Sequence, residues 1–303
     1  MTVFKVYDPK LPGVIAVPPD MGIPREDQLQ GCWFEQLSEL AGRVCYDSLG
    51  KGRSSEEYHK HIQEVDHLSV YEHCNFTAVI PDAEIFNHRP GMYWRHSSAD
   101  IRDLEVTLNL RTLMEWWAYD DDLHYSSNEE LIYNCFWRIV QEEYLPKFIR
   151  LREPKSIREV YEYESIPSNW STYFFRCSRA CSHELVRHGD FTAISQRSTR
   201  YCNEQLDFSC LHPILAKESK LIQRMLQETK DSLQSIYQIV ADTLIQINYS
   251  RKEALGAARC ILPHYLATEV IFSASEEQWG RIKKQRVSEF ADAEIRELIS
   301  RVE

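Results

Sequence analysis

The chain lacks any run of apolar residues approaching the ~20 that a helical bilayer span needs, so a membrane-spanning protein is not expected. Residues 1–10 mix charged with apolar side chains and lack the layout of a secretory signal. No redox Cys-x-x-Cys stands out: Cys177 and Cys181 are four apart, and the nine cysteines, an odd number, predict reduced thiols in a cytoplasm. Basic charge is scarce, 35 Lys and Arg against 46 Asp and Glu, and the net charge of −11 excludes a general nucleic-acid binder. Metal-ligand spacing is missing too. His59, His61, His67 and His73, with Cys74 beside them, do not follow a metal-site pattern, and no metal is expected. Neither an internal repeat nor a low-complexity tract is legible.

What is present suits a folded enzyme. The 303 residues are 43% apolar, enough for a sizeable core in one or two domains. The few basic residues are unevenly spread: Arg176, Arg179, Arg187, Arg197 and Arg200 share one short segment. On an acidic protein that points to a small anion such as a phosphate. Helices are expected over 27–65, with Leu37, Leu40, Ala41 and Val44 at helical spacing and Ser54-Ser55-Glu56-Glu57 as a second start. Residues 75–80 read as a strand ended by Pro81.

From Pro81 to about Ser168 the texture changes. This stretch holds Asn87-His88-Arg89-Pro90-Gly91, the acidic run Asp120-Asp121-Asp122 (a solvated turn), tryptophans 94, 116, 117 and 137, and a helix over 129–144. It reads as an insertion. His88, Arg89, Trp94, Arg95 and His96 there could stack a pterin, nicotinamide or nucleobase ring, or pack on themselves as a surface loop. Beyond it a strand is expected over 172–176, a helix over 178–188 and a loop to Tyr201. A long helix capped by Ser219 follows, its apolar stripe suited to the core or a subunit interface. A helix over 251–262, a strand over 270–272 and a last helix over 279–301 complete the chain.

The richest chemistry lies in Arg187-His188-Gly189-Asp190-Phe191-Thr192-Ala193-Ile194-Ser195-Gln196-Arg197-Ser198-Thr199-Arg200-Tyr201. Arginine forks grip phosphate bidentately, and a glutamine amide can both donate to and accept from a pyrimidine edge. The same residues would also serve a solvated, helix-capping loop.

This stretch resembles the Arg-His-Arg-x7-Ser signature of flavin-dependent thymidylate synthases, which continues into Arg-Tyr. Four other segments resemble the family in order: Ala41-Gly42-Arg43-Val44-Cys45-Tyr46, His67-Leu68-Ser69-Val70-Tyr71-Glu72-His73, Ala258-Arg259-Cys260-Ile261-Leu262-Pro263, and the terminal Arg286-Val287-Ser288-Glu289-Phe290-Ala291-Asp292-Ala293-Glu294-Ile295-Arg296. The resemblance implies an α+β fold, an antiparallel or mixed sheet flanked by long helices, with residues 1–80 and 170–303 as core and 81–169 as an insertion. It implies a homotetramer with active sites between subunits, FAD as cofactor, dUMP as substrate, and methylenetetrahydrofolate and NADPH as co-substrates. By the same resemblance Arg179, Glu184, Arg187, Gln196, Ser198, Thr199, Arg200, Tyr201, Arg259 and Arg286 bind dUMP, with Arg187, Ser198 and Arg286 catalytic. Ser69, Glu72, His73, Arg187, His188 and Gly189 line the flavin site. Arg286, aimed at the base, would stabilise the charge that makes pyrimidine C5 nucleophilic, so no cysteine nucleophile is required. Cys181 and Cys202 are expected to be buried structural thiols.

Two departures matter. Gly189 stands where the second arginine of Arg-His-Arg belongs, and the spacing to Ser198 is one residue longer, so that Arg197 or an insertion residue would have to replace a flavin contact. Before the last helix, Ser275-Glu276-Glu277 replaces the family's flavin-binding Asn-x-Arg. The insertion contains Val106-Thr107-Leu108-Asn109-Leu110-Arg111, which resembles the missing element, so Asn109 and Arg111 are expected to serve the flavin instead. Two alternatives stay open: a hydroxymethylase of dUMP or dCMP that traps the methylene with water, and a non-catalytic nucleotide-binding subunit.

Overall fold

The computed structural model describes residues 1–11, 15–17, 29–81, 92–96, 103–116, 127–154, 163–189, 192–207, 210–218 and 220–303. The Asn87–Gly91 motif, the Asp120–Asp122 run, Trp117, Asp190, Phe191 and the Ser219 cap lie outside them, as do the side chains of Trp94, Arg95 and His96. The fold is α+β and falls into two compact units. Unit 1 comprises residues 1–5, 43–49 and 173–303; unit 2 comprises residues 6–42 and 50–172.

Unit 2 opens with helix α1 (Trp33–Tyr46), which begins there, then α2 (Ser55–Glu64) and a 3-10 turn at Leu68–His73. Ser54 starts α2 through a reciprocal capping box with Glu57. Strand β2 (Asn75–Ile80) pairs antiparallel with β4 (Leu104–Asn109) on one side and β5 (Glu164–Ile166) on the other; β3 (Met92–His96) pairs antiparallel with β4. The order across this sheet is β3-β4-β2-β5. Helices α3 (Leu110–Trp116) and α4 (Ser127–Arg138) follow β4, and α4 runs on as a π-helical turn, Ile139–Glu143. Unit 2 thus takes in sequence on both sides of Pro81. Its core rests on Phe34, packed edge-on against Phe76 and Tyr144 with centroids 5.3 and 6.1 Å apart, and on Trp33 stacked against Tyr7 at 4.7 Å. The buried Glu35 carboxylate accepts backbone N–H groups of Lys147, Phe148 and Ile149 at 2.5–3.0 Å, tying that segment to α1.

Unit 1 holds most of the sheet β1-β6-β8-β7, built from β1 (Thr2–Tyr7), β6 (Trp170–Ser178), β7 (Thr192–Gln196) and β8 (Ala267–Ser275). Helices α5 (Arg179–Leu185), α6 (Pro213–Lys217), α7 (Lys220–Gln246), α8 (Arg251–Ala258), α9 (Glu276–Arg286) and α10 (Ala293–Ile299) complete it. Its core joins Tyr173, Phe175 and Phe272 of the sheet to Trp279 and Ile282 of α9 and Ile295, Leu298 and Ile299 of α10.

Three expectations are corrected here. The loop expected before Tyr201 contains β7, whose Ala193 and Ser195 turn inward against β8. The last helix is two helices, because the Asp292 side chain accepts the Glu294 N–H and starts α10 afresh. The helix at 251–262 ends at Ala258 and tightens into a 3-10 turn, Arg259–Ile261. Among the described residues no helix is long and apolar enough to cross a membrane.

Candidate functional site

Helix α5 organises the site in unit 1. Its cap, Ser178, accepts the Cys181 N–H at 3.1 Å, donates its hydroxyl to Glu294 at 2.6 Å and donates its N–H to the same carboxylate at 2.9 Å. Glu294 and Ser178 are both buried. The first N–H groups of the helix, on Arg179 and Ala180, donate to Leu266 O and His264 O. The direction in which Arg179 leaves the helix is therefore fixed by backbone on one side and a buried carboxylate on the other.

Four residues on, His183 shares the Arg179 face of α5. Both line a cleft of about 550 Å³ together with Thr199, Gly256, Arg259, Cys260 and His264. Arg176 and Arg197 have carboxylates within ion-pair distance; among the described residues Arg179 and Arg259 have none. Burial draws the Arg179 pKa below its ordinary value, and the neighbouring Arg259 charge adds to this while Glu204 opposes it. Burial also lowers the His183 pKa, helped by Arg179 and by His264, whose ring stands edge-on at 5.6 Å. Two guanidiniums without a carboxylate partner among the described residues, two imidazoles and the Thr199 hydroxyl are donor chemistry suited to an anion with several acceptor oxygens.

A second cluster occupies the other end of α5. Glu184 lies five positions after Arg179, which turns it about 140° away. Arg286, the last residue of α9, donates to Glu184 Oε2 at 2.6 Å and to Glu184 O at 3.3 Å, and its Nε donates to His188 Nε2 at 2.8 Å. Because an arginine Nε–H can only donate, His188 Nε2 must be the unprotonated nitrogen. Its lowered pKa agrees: burial disfavours the charged ring, and Arg286 and Arg187 add to the effect. Arg187 is exposed, with no ion pair among the described residues, and Gly189 is exposed beside it.

The remaining residues expected to bind the nucleotide fall between these clusters. Gln196 donates to Ser182 Oγ at 2.7 Å and to Thr268 Oγ1 at 3.4 Å, so one side of its amide is already held. Ser198 sits in a tight turn: its N–H donates to Cys45 O at 2.8 Å and its carbonyl accepts from Tyr201 and Cys202. Arg200 is exposed near α8, its Cγ being the atom closest to a side chain built at Gly256. The Tyr201 ring takes Lys252 over its face at 5.0 Å and packs edge-on against Tyr46. Arg197, expected as a possible replacement for a lost flavin contact, has carboxylates on two sides. It is held by Glu204 at 3.1 Å and Asp47 at 2.9 Å, partners contributed by folding rather than by sequence proximity.

The residues expected to hold a flavin divide between the units. In unit 2, Arg111 Nη1 pairs with Glu72 at 2.5 Å and Arg111 Nε with Glu115 at 2.7 Å. Asn109 caps α3 by accepting the Thr112 N–H at 2.8 Å. Ser69 is exposed, whereas His73 is buried, and burial depresses its pKa to about 3. Asn75, beside the turn that carries Glu72, donates its amide N–H to Glu72 O at 3.1 Å and keeps a buried Oδ1 without a partner among the described residues. In unit 1, Ser275-Glu276-Glu277 has a local explanation. Ser275 caps α9, the glutamates occupy its first turn, and Glu277 pairs with Arg281 at 2.5 Å.

Sequence reasoning missed His183 and His264. The i, i+4 spacing of Arg179 and His183 was a usable signal; the position of His264 depends on a turn three residues beyond Ile261 and had none. Cys45, Cys181 and Cys202 are not activated. Burial pushes Cys45 and Cys202 up to about 11, and a hydrogen bond to Cys177, with burial, raises Cys181 well above the ordinary thiol. Among the described residues no cluster of His, Cys, Asp or Glu is placed to hold a metal.

Comparison with known proteins points to the same segment. Residues 168–302 match the Thy1 family, described as thymidylate synthase complementing protein. Proteins named flavin-dependent thymidylate synthase are similar: that of Mycobacterium tuberculosis H37Rv is 33% identical over 135 residues, and that of Mycobacteroides abscessus 31% over 133. The Mycobacterium avium protein is 32% identical over 136 residues. Each match takes in 42% of this chain and about half of the relative's length. The cationic cleft and the Arg286–Glu184–His188 cluster both lie inside residues 168–302, the C-terminal part of the chain that matches the Thy1 family of thymidylate synthase complementing proteins.

Proposed function

We propose that this chain is a flavin-dependent thymidylate synthase, converting dUMP to dTMP with methylenetetrahydrofolate as carbon donor and NADPH as reductant. One observation carries the reading: in the segment that matches the family, Arg179 and Arg259 line one cleft with Thr199 and two imidazoles, and neither guanidinium has a carboxylate partner among the described residues. A nucleotide phosphate supplies the missing charge. Ser198 and Arg200 extend the site toward the sugar, and Gln196 offers its amide to the base. Glu184 and the neutral His188 hold the Arg286 guanidinium in a fixed orientation. A cation fixed before the reaction stabilises negative charge as it develops on the pyrimidine, without reorganisation at that moment. None of the raised cysteines is needed as a nucleophile.

The residues of unit 2 fit a flavin by donor chemistry. Arg111 and Ser69 can donate to ring carbonyls or phosphate oxygens, and the unsatisfied Asn75 Oδ1 can accept a ring N–H. The flavin's contribution when bound is hydride for the transferred one-carbon unit; the protein supplies position and charge. Self-association is part of the proposal. Leu221, Met225, Ile236 and Ile239 of α7 are exposed, and at 100° per residue they lie within about 60° of one another, an apolar stripe suited to a second copy of the chain.

The test is the visible spectrum of the pure protein before and after dUMP and NADPH, followed by product analysis. Flavin absorbance that bleaches with NADPH, and dTMP formed on adding methylenetetrahydrofolate, are expected. A 5-hydroxymethyl nucleotide as the product would replace this reading with that of a hydroxymethylase, and a protein that takes up no FAD would reject both.

A further inference from the structure

The sheets of the two units share one wiring. In unit 1 the consecutive strands β6, β7 and β8 lie with the first beside the third and the third beside the second; β2, β3 and β4 do the same in unit 2. A fourth strand, β1 or β5, lies on the free edge of the first. The third strand of each ends in the residue that caps the next helix. Asn109 accepts from Thr112 N at 2.8 Å to start α3, and Ser275 accepts from Gln278 N at 3.2 Å to start α9. A further helix, α4 or α10, then packs on it.

Aligning cap on cap also aligns the strand pairs. Met92↔Leu108 through His96↔Leu104 coincide with Thr192↔Ala274 through Gln196↔Val270, so in both sheets the second strand starts opposite the residue just before the cap. Register is strictly specified wherever a face is buried, because a slip of one residue turns every side chain over. Unrelated sheets have no reason to share this register relative to the helix cap as well as the strand order.

The copies differ where ligands would bind. In unit 1 the second and third strands are joined by residues 197–266, which carry Thr199 and Arg259 of the cationic cleft; in unit 2 the far shorter stretch 97–103 separates the corresponding strands in sequence. The cap alignment sets Arg111 at the position of Glu277. Glu277 pairs within its own helix with Arg281; Arg111 pairs within its helix with Glu115 and also reaches Glu72 in the turn before β2. Asn75, opposite Asn109 in the β2–β4 register, keeps a buried Oδ1 without a partner among the described residues.

We infer that the chain contains two copies of one sheet-and-helix module that have divided ligand binding between them. Unit 1 keeps the nucleotide-phosphate cleft, unit 2 keeps the flavin contacts at Asn109 and Arg111, and each lacks the other's residues. This rests on the flavin reading proposed above and assigns its cofactor side to the unit that lies almost wholly outside the family match.

The experiment is a pair of equilibrium titrations on the full chain, FAD by fluorescence and dUMP by calorimetry. Arg111→Ala should weaken FAD binding at least about tenfold and leave dUMP within about threefold, with Arg259→Ala giving the reverse. Glu277→Ala should leave both affinities within about threefold of wild type. Asn109→Ser, which keeps a helix cap, and Arg111→Lys, which keeps the charge, guard against misfolding; each should retain the wild-type circular dichroism and lose part of the FAD affinity. Wild-type FAD affinity in Arg111→Ala overturns the division of labour and leaves the flavin reading standing. Loss of both ligands from a folded Arg111→Ala protein also overturns it. A wild-type chain that binds dUMP but no FAD removes both proposals.

Discussion

His73 shows what burial alone does to a side chain. It is 2% exposed, and loss of hydration holds its imidazole at a pKa of about 3 against an ordinary 6.5. The unfolded chain therefore binds a proton well before the folded one as the pH falls. Stability from this residue is complete above about pH 6.5 and drains away as the pH drops toward 3, with a limiting slope of ~1.4 kcal/mol per pH unit. Urea midpoints measured from pH 7 to pH 4.5 should fall more steeply for the wild type than for His73→Gln, and parallel curves would show that the ring is solvated. At this scale the arginines were legible because motif and charge density both marked them, while their pairing was not. Nothing local separates Arg197, which folding surrounds with Asp47 and Glu204, from Arg179, which it leaves facing a cleft.

At the scale of elements, the strand-to-helix corner at Ser178 is the part of the site most exposed to damage from a distance. Glu294 belongs to α10, yet its two oxygens hold the Ser178 N–H and hydroxyl and so set the start of α5. Glu294→Ala would leave two buried donors unsatisfied, a cost of roughly 2–4 kcal/mol in stability, and would free Arg179 to reorient. The expected outcome is a lower melting temperature together with a weaker dUMP affinity. Ser178→Ala, which removes only the hydroxyl, should show both effects at smaller size, and an unchanged dUMP affinity in a destabilised Glu294→Ala protein would show that the corner does not position Arg179. The long periodic elements were legible in advance: β2 falls where the β-branched run and Pro81 placed it, and α7 where its stripe placed it. Strand β7 escaped because Thr192-Ala193-Ile194-Ser195-Gln196 is short and half polar, and is made a strand by its neighbour β8 rather than by its own composition. The break between α9 and α10 escaped because the Asp292 cap sits inside a run of otherwise helical residues.

At the scale of the whole molecule, the shared wiring of the two units left almost no trace in the sequence. Aligned on their caps, Leu104, Glu105 and Val106 stand against Val270, Ile271 and Phe272, a correspondence of register but not of identity. Only Val106-Thr107-Leu108-Asn109-Leu110-Arg111 hinted at it. Backbone pairing tolerates almost any residue that fits the pleat, so a fold can persist after its letters have diverged. The stripe on α7 makes the remaining demand at this scale. Only Tyr237 and Ala241 of that helix are buried, while Leu221 is 67% and Ile239 63% exposed. Burying such side chains yields roughly 1.5–3 kcal/mol each, so a chain that left the whole stripe in water would forgo several kcal/mol. Leu221→Asp with Ile239→Lys should therefore reduce the molar mass measured by light scattering, with the helical circular dichroism kept. If the active sites lie between subunits, dTMP formation should fall with the mass and recover as protein concentration rises. A wild-type protein that runs as a monomer at every concentration would leave α7 without a partner and remove self-association from the proposed function.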